Sequence, residues 1–214
     1  MPRMFASFAA DEFARFHAVQ ARLGLTPAYL SHTGTLQTKD FGGLLVISTD
    51  ANESHIPTIR VPYTTMSELK RLGGIPDEFY TSEGRSDSAV YYPPAPPPHR
   101  IAALTATNDV CDLRFLMTDD ELEVLHHAAV AYMMGNSAKV KSFEQMLDLH
   151  FGASSLEVVT AQDLVVNANQ VVEIKAPDNR AIVLNFGTVT VERGGQFRVN
   201  CQTQFNTQVM TVLD

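Results

Sequence analysis

Glu123, His126 and His127 have the residue types and spacing to hold a metal ion. On a helix, side chains three or four residues apart share a face. Glu123 and His126 could therefore reach one ion, as Glu–His pairs do in di-iron bundles. Such a centre needs a second Glu–His pair and further carboxylates, and the sequence has neither. Asp148 and His150, on the next predicted helix, are the nearest additions. The structural reading is the simpler one. It places His126 beside the stripe Leu122, Leu125, Ala129 and Met133, with His127 paired to Glu123 on the exposed side. No metal and no cofactor is expected.

Ser67-Glu68-Leu69-Lys70 matches the Ser-x-x-Lys spacing in which a lysine deprotonates a serine on its own helix. The partner motifs of penicillin-recognising enzymes are missing, so a surface helix is the expectation. The chain has no G-x-S-x-G, no H-E-x-x-H, no phosphate loop and no dinucleotide glycine fingerprint. Cys111 stands beside Asp112, with nothing local to activate the thiol. No catalytic residue is named, and a non-enzyme is the leading expectation.

The balance of charge removes other classes. The formal net charge is −8, and the 16 Lys and Arg are scattered rather than grouped. Affinity for nucleic acid or anionic lipid comes from clustered cations, so neither nucleic acid nor membrane is an expected partner. Cys111 and Cys201 are too few for a disulfide framework or a cysteine zinc site, and free thiols are expected. Asp11 and Glu12 interrupt the N-terminal apolar run too early for a signal-peptide core. No run reaches the ~20 apolar residues of a membrane span. A soluble cytoplasmic protein follows, in which the Asn52-Glu53-Ser54 sequon is silent.

The elements that position these residues read as follows. Phe5, Phe8, Phe13, Phe16, Val19 and Leu23 paint one stripe on a helix over 8–23, stopped by Gly24. That stripe needs a partner surface in this chain or another. Residues 36–63 look like strands, and Pro57 and Pro62 suit an edge. A short helix follows at "TMSELKRLGG". After a polar stretch from Thr81 to Ser88, "YYPPAPPPHR" reads as an extended, stiff linker. "RIAALTA" looks like a strand. "TDDELEVLHHAAVAYMMG" is the clearest helix, with Thr118 and Glu121 as its capping box. A second helix over 137–151 makes a helical hairpin. From 156 onward everything reads as β, with strands at 156–160, 163–166, 171–175, 181–186, 188–193, 196–205 and 208–213. The fold expected is therefore α+β. It has a mixed N-terminal region over 1–90, a linker over 91–99, a helical hairpin over 100–152 and an antiparallel β domain over 153–214. That domain would be a sandwich, a jelly-roll-like unit or a short solenoid. Thr188 to Phe205 should be a hairpin turning at Gly194-Gly195, with Val189, Val191, Phe197, Val199 and Phe205 inward.

One feature of that β region bears on function. Asn200, Gln202, Gln204, Asn206 and Gln208 fall on one face if the alternation holds, and 202–213 contains no charged residue. Natural strand faces and edges use charge to discourage unwanted pairing, whereas amides offer donors and acceptors without repulsion. From Val209 to Leu213 apolar residues fall on both faces. The last strand thus calls for cover on both sides, as in a subunit contact or a central sheet position. The expectation is a structural protein that self-associates into a homo-oligomer or filament, with these amides in the contact face. A carbohydrate- or small-ligand-binding β module is the alternative, although no Trp offers a stacking platform. A hydrolase or metal enzyme using the histidines is the second alternative.

Overall fold

Alternating apolar residues do build strands over the second half of the chain, but those strands pair in parallel. The computed structural model describes residues 3–82, 84–107 and 109–213, so Glu83, within the polar stretch from Thr81 to Ser88, lies outside it. The chain forms two units, Met1–Val61 with Ser155–Asp214, and Pro62–Ser154.

The first unit is a stack of coils. Its strands are β1 (His32–Gln37), β2 (Leu44–Ser48), β3 (Ile59–Tyr63), β4 (Ser154–Val166), β5 (Val171–Lys175), β6 (Ile182–Val191), β7 (Gln196–Val199) and β8 (Thr203–Val212). One sheet has the order β1-β4-β6-β8, with β3 also on β4, and the other has the order β2-β5-β7. From β4 onward the chain alternates between the two sheets. Val158, Val183 and Gln204 fall in register across three successive coils. Leu36, Leu45, Ile47, Val159, Leu164, Val172, Ile174, Leu184, Phe186 and Val189 fill the space between the sheets.

This architecture is α/β with mostly parallel sheets and corrects the expected α+β fold with an antiparallel C-terminal domain, whether sandwich or jelly-roll-like. The physical reason lies in the corner at 192–195. Gly194 has φ 75, Gly195 N donates to Glu192 O at 2.8 Å, and Asn169 N donates to Arg193 O at 3.1 Å. The turn therefore stacks on the corner of the coil before it and sends the chain across to the other sheet. A methyl group on Gly194 would stand 2.4 Å from Asn169 Oδ1, which keeps this corner a glycine. There is no hairpin here, since β6 pairs with β8 and β7 with β5. Val199, expected inward, is 53% exposed. All ten residues of β6 are buried, because a central parallel strand is covered on both faces.

The outer cover over β6 is the phenylalanine stripe. Helix α1 (Ala10–Arg22) packs on β6 and β8. Phe5 sits 5.1, 5.0 and 4.9 Å from the rings of Phe8, Phe13 and Phe16. A methyl group on Gly187 would lie 2.2 Å from the Phe5 ring, so the absent side chain admits the phenylalanine. The buried Asp163 fixes this segment by accepting hydrogen bonds at Oδ1 from Phe5 N (2.7 Å) and Thr188 Oγ1 (2.5 Å).

The second unit is helical. It holds α2 (Met66–Gly73), α3 (Glu78–Thr81), α4 (Pro98–Leu104), α5 (Val110–Leu116), α6 (Asp119–Met134) and α7 (Glu144–Phe151). The expected helical hairpin does not stand. A 3-10 segment, Ser137–Phe143, broken at Val140 (φ −123, ψ 22), separates α6 from α7, and both helices share a core with α2, α4 and α5. "RIAALTA" is helical rather than extended, because Pro98 occupies the first-turn position that favours helix initiation. The Thr118–Glu121 capping box opens α6, with Thr118 N to Glu121 Oε2 at 2.9 Å and Glu121 N to Thr118 Oγ1 at 3.2 Å.

Candidate functional site

The amide residues lie at one end of the coil stack, on and beside β8. Asn200 and Gln202 are exposed in the turn before β8, and Asn200 Nδ2 donates to Glu173 Oε1 at 3.3 Å. Gln204, Asn206 and Gln208 are half-buried. Gln204 Nε2 donates to Asn206 Oδ1 (3.3 Å), Asn206 Nδ2 to Leu184 O (3.2 Å), and Arg15 Nε to Gln208 Oε1 (3.2 Å). The row is thus divided between the turn, the strand and the helix that covers its outer face. Gln204 Oε1 is buried with no hydrogen-bond partner among the described residues.

What the row flanks is an open end. β8 is the last strand of its sheet and β7 the last of the other. No further coil covers them among the described residues, and the apolar side chains there remain in water. Val199, Met210 and Val212 are 53%, 54% and 65% exposed. Phe197, Cys201 and Phe205 pack on the core from this end and are only partly buried. A groove of about 530 Å³ between Val191, Val212, Leu213 and the turn Glu192–Gly195 completes the surface. The apolar tail of β8, expected to be covered on both faces, takes an edge position in its sheet rather than a central one. Ten consecutive strand residues without a charge or a proline make an unprotected pairing edge.

The other candidates are positioned differently. His126 and His127 are exposed, as is Glu123. The His126 ring lies 5.8 Å from that of His150, while His127 meets Tyr91 at 5.4 Å. Burial pushes the His150 ring below the usual histidine range, with Arg114 and His126 acting in the same direction. Among the described residues, no three His, Cys, Asp or Glu side chains gather as metal ligands. Cys111 is exposed, and both cysteines are free.

Lys70 does not face Ser67 as a base. Its Nζ donates to Tyr132 O and Gly135 O, both at 2.6 Å, and pairs with Asp77 Oδ1 at 2.9 Å. Burial raises the Asp77 carboxyl, but hydrogen bonds from Ser137 and Lys70 outweigh it and hold the group below the usual range. This knot, which ties α2 to the end of α6, was invisible in the sequence because its members are far apart along the chain.

The proline segment has a defined place too. Pro94, Pro96 and Pro97 roof an apolar cavity of about 290 Å³ over Leu104, Met117, Val124, Leu125, Phe143 and Met146. The Arg100–Glu121 ion pair, with Nε to Oε1 at 2.6 Å, stands at its rim. That pair makes a pH prediction. Hydrogen bonds from Arg100 hold Glu121 down to about 2, against the opposing effect of burial. The folded value lies below the unfolded one. The pair's contribution is therefore complete above the ordinary carboxyl range and is lost as pH falls toward 2. Wild type should exceed Glu121→Gln in stability at pH 7, and the gap should narrow at pH 2. A gap in chemical denaturation that stays constant over this range would count against the pair.

No protein-family model, curated protein or solved structure matches the chain significantly. No helix among the described residues is long and apolar enough to cross a membrane.

Proposed function

We propose that this protein is a non-catalytic structural protein of the cytoplasm that self-associates through the open end of its coil stack. One observation carries the reading. A charge-free edge strand, β8, leaves Met210 and Val212 more than half exposed on the strand that also carries the partly buried Phe205. Unprotected edges template pairing with another chain, and stacked-repeat proteins need their ends capped for solubility. Two copies meeting at this end would bury the apolar groups and bring no like charges from β8 together.

The variant Met210→Lys/Val212→Lys tests the proposal. Both side chains already reach solvent, so the melting temperature of the separate chain should change little. Association should be lost, since each copy would bring two unpaired charges into the contact. Light scattering should then give the mass of one chain. An unchanged mass with unchanged melting would remove this end from the contact.

A further inference from the structure

The geometry points to β8 of a second copy as the segment that covers β8, in an antiparallel, two-fold pairing that closes as a dimer rather than growing as a filament. This rests on the self-association reading above and adds the partner element and the symmetry.

A filament of stacked coils would need the opposite end of the stack to receive β8. The structure blocks that end in three places. On β1 the register shifts between His32 and Thr35, and Gly34 sits at φ 81 with its N–H donating to Gln162 Oε1 at 2.7 Å. Bulges of this kind bend an edge away from further pairing. The free side of β2 is already bonded to its own loop. Val46 N donates to His55 Nδ1 (3.1 Å), His55 N to Val46 O (2.9 Å) and Ser48 N to Ser54 Oγ (3.1 Å). On β3, Pro62 lacks an N–H, and Arg60 carries a charge into the edge while bonding Glu157 Oε1 at 3.0 Å.

Among the described residues, one end is therefore capped and the other is not. Head-to-tail stacking would place an open edge against a capped one and leave the backbone groups of β8 unpaired. Two open ends are complementary to each other. Each has ten uncharged strand residues and exposed apolar side chains on the same strand. A surface that pairs with its own copy is isologous, and a two-fold contact uses it up. The result is one continuous sheet running through both copies, with β8 facing β8 at its centre. Elsewhere the copies carry like net charge, −8 each, so the uncharged edge is also where approach is least opposed.

Two measurements test this. The first is the mass of the unaltered chain by light scattering over a wide concentration range. The expected value is two chains of 23.5 kDa each, constant over that range. A one-chain mass throughout would overturn the self-association reading itself. A mass that passes two chains and keeps climbing with concentration would leave self-association standing and overturn the two-fold closure. The second is a scan of single cysteines along 203–212 in a Cys111→Ser/Cys201→Ser background, using variants whose dichroism spectrum and melting match that parent. Under mild oxidation, antiparallel self-pairing gives disulfide-linked dimers that peak at one position and fall away on both sides. Mixing a cysteine before that peak with one an equal distance beyond it gives the crossed dimer. A dimeric mass with no self-linked position anywhere on β8 would overturn the assignment of β8 as its own partner.

Discussion

Truncating Phe186 to alanine is expected to destabilise the β unit by about 3–5 kcal/mol, enough to consume a large part of a typical domain's stability. The ring is fully buried in the centre of β6, between the two sheets, with the Phe205 ring 5.7 Å away. Strands on both sides of β6 hold its backbone in register, so the walls of the cavity have little freedom to collapse. Phe197→Ala should cost less, although the alternation in the sequence places that ring in the core. Phe197 lies on the short strand at the open end and is only partly buried. Urea denaturation followed by circular dichroism measures both. A loss at Phe186 no greater than that at Phe197 would contradict this account of the core.

The second large effect is at Lys70. Lys70→Met keeps an aliphatic stem of similar reach and removes the ammonium. The carbonyls of Tyr132 and Gly135 then lose their donor, and Asp77 keeps only Ser137, whose N and Oγ donate at 2.8 and 2.5 Å. Buried acceptors left without partners cost about 1–3 kcal/mol each. Asp77 is partly solvated, with 36% of its side chain exposed, so its loss is discounted. A total of about 2–4 kcal/mol is expected for the helical unit. Ser67→Ala removes only the hydrogen bond between Ser67 and the Tyr132 hydroxyl and should cost less, about 1 kcal/mol. Hydrogen exchange at the end of α6 localises the effect, and amides there should lose protection in Lys70→Met alone. Equal effects of the two substitutions would contradict the knot.

Much of the local structure was legible. The phenylalanine stripe found its helix, the Thr118–Glu121 box found the start of α6, and 171–175 matches β5, whereas 156–160 with 163–166 and 181–186 with 188–193 are the single strands β4 and β6, and 196–205 is broken at 200–202 between β7 and β8. The partners of the strands were not legible. A period of two states which side chains share a face, and it is the same for a hairpin and for a coil that crosses to another sheet. The Arg193-Gly194-Gly195 turn suits both. What selects the coil corner is its bonding to the previous corner, through Asn169, which no local window contains. β6 carried a usable signal. Its run Ile182-Val183-Leu184 is continuous rather than alternating, the mark of a strand covered on both faces. The insertion of the helical unit between β3 and β4 likewise hides that Leu36 and Leu164 are neighbours in one sheet. At the candidate site, the absence of charge from Gln202 to Leu213 was readable. That this segment is an open edge, with Met210 and Val212 in water, required the topology.

The central claim is that the open end of the coil stack is a contact between copies, and mass in solution tests it most directly. Light scattering on the wild-type chain and on Met210→Lys/Val212→Lys, at equal concentrations, is the comparison. The account predicts a two-chain mass for wild type and a one-chain mass for the variant, which keeps the wild-type dichroism spectrum. A wild-type chain that is monomeric at tens of micromolar would contradict it.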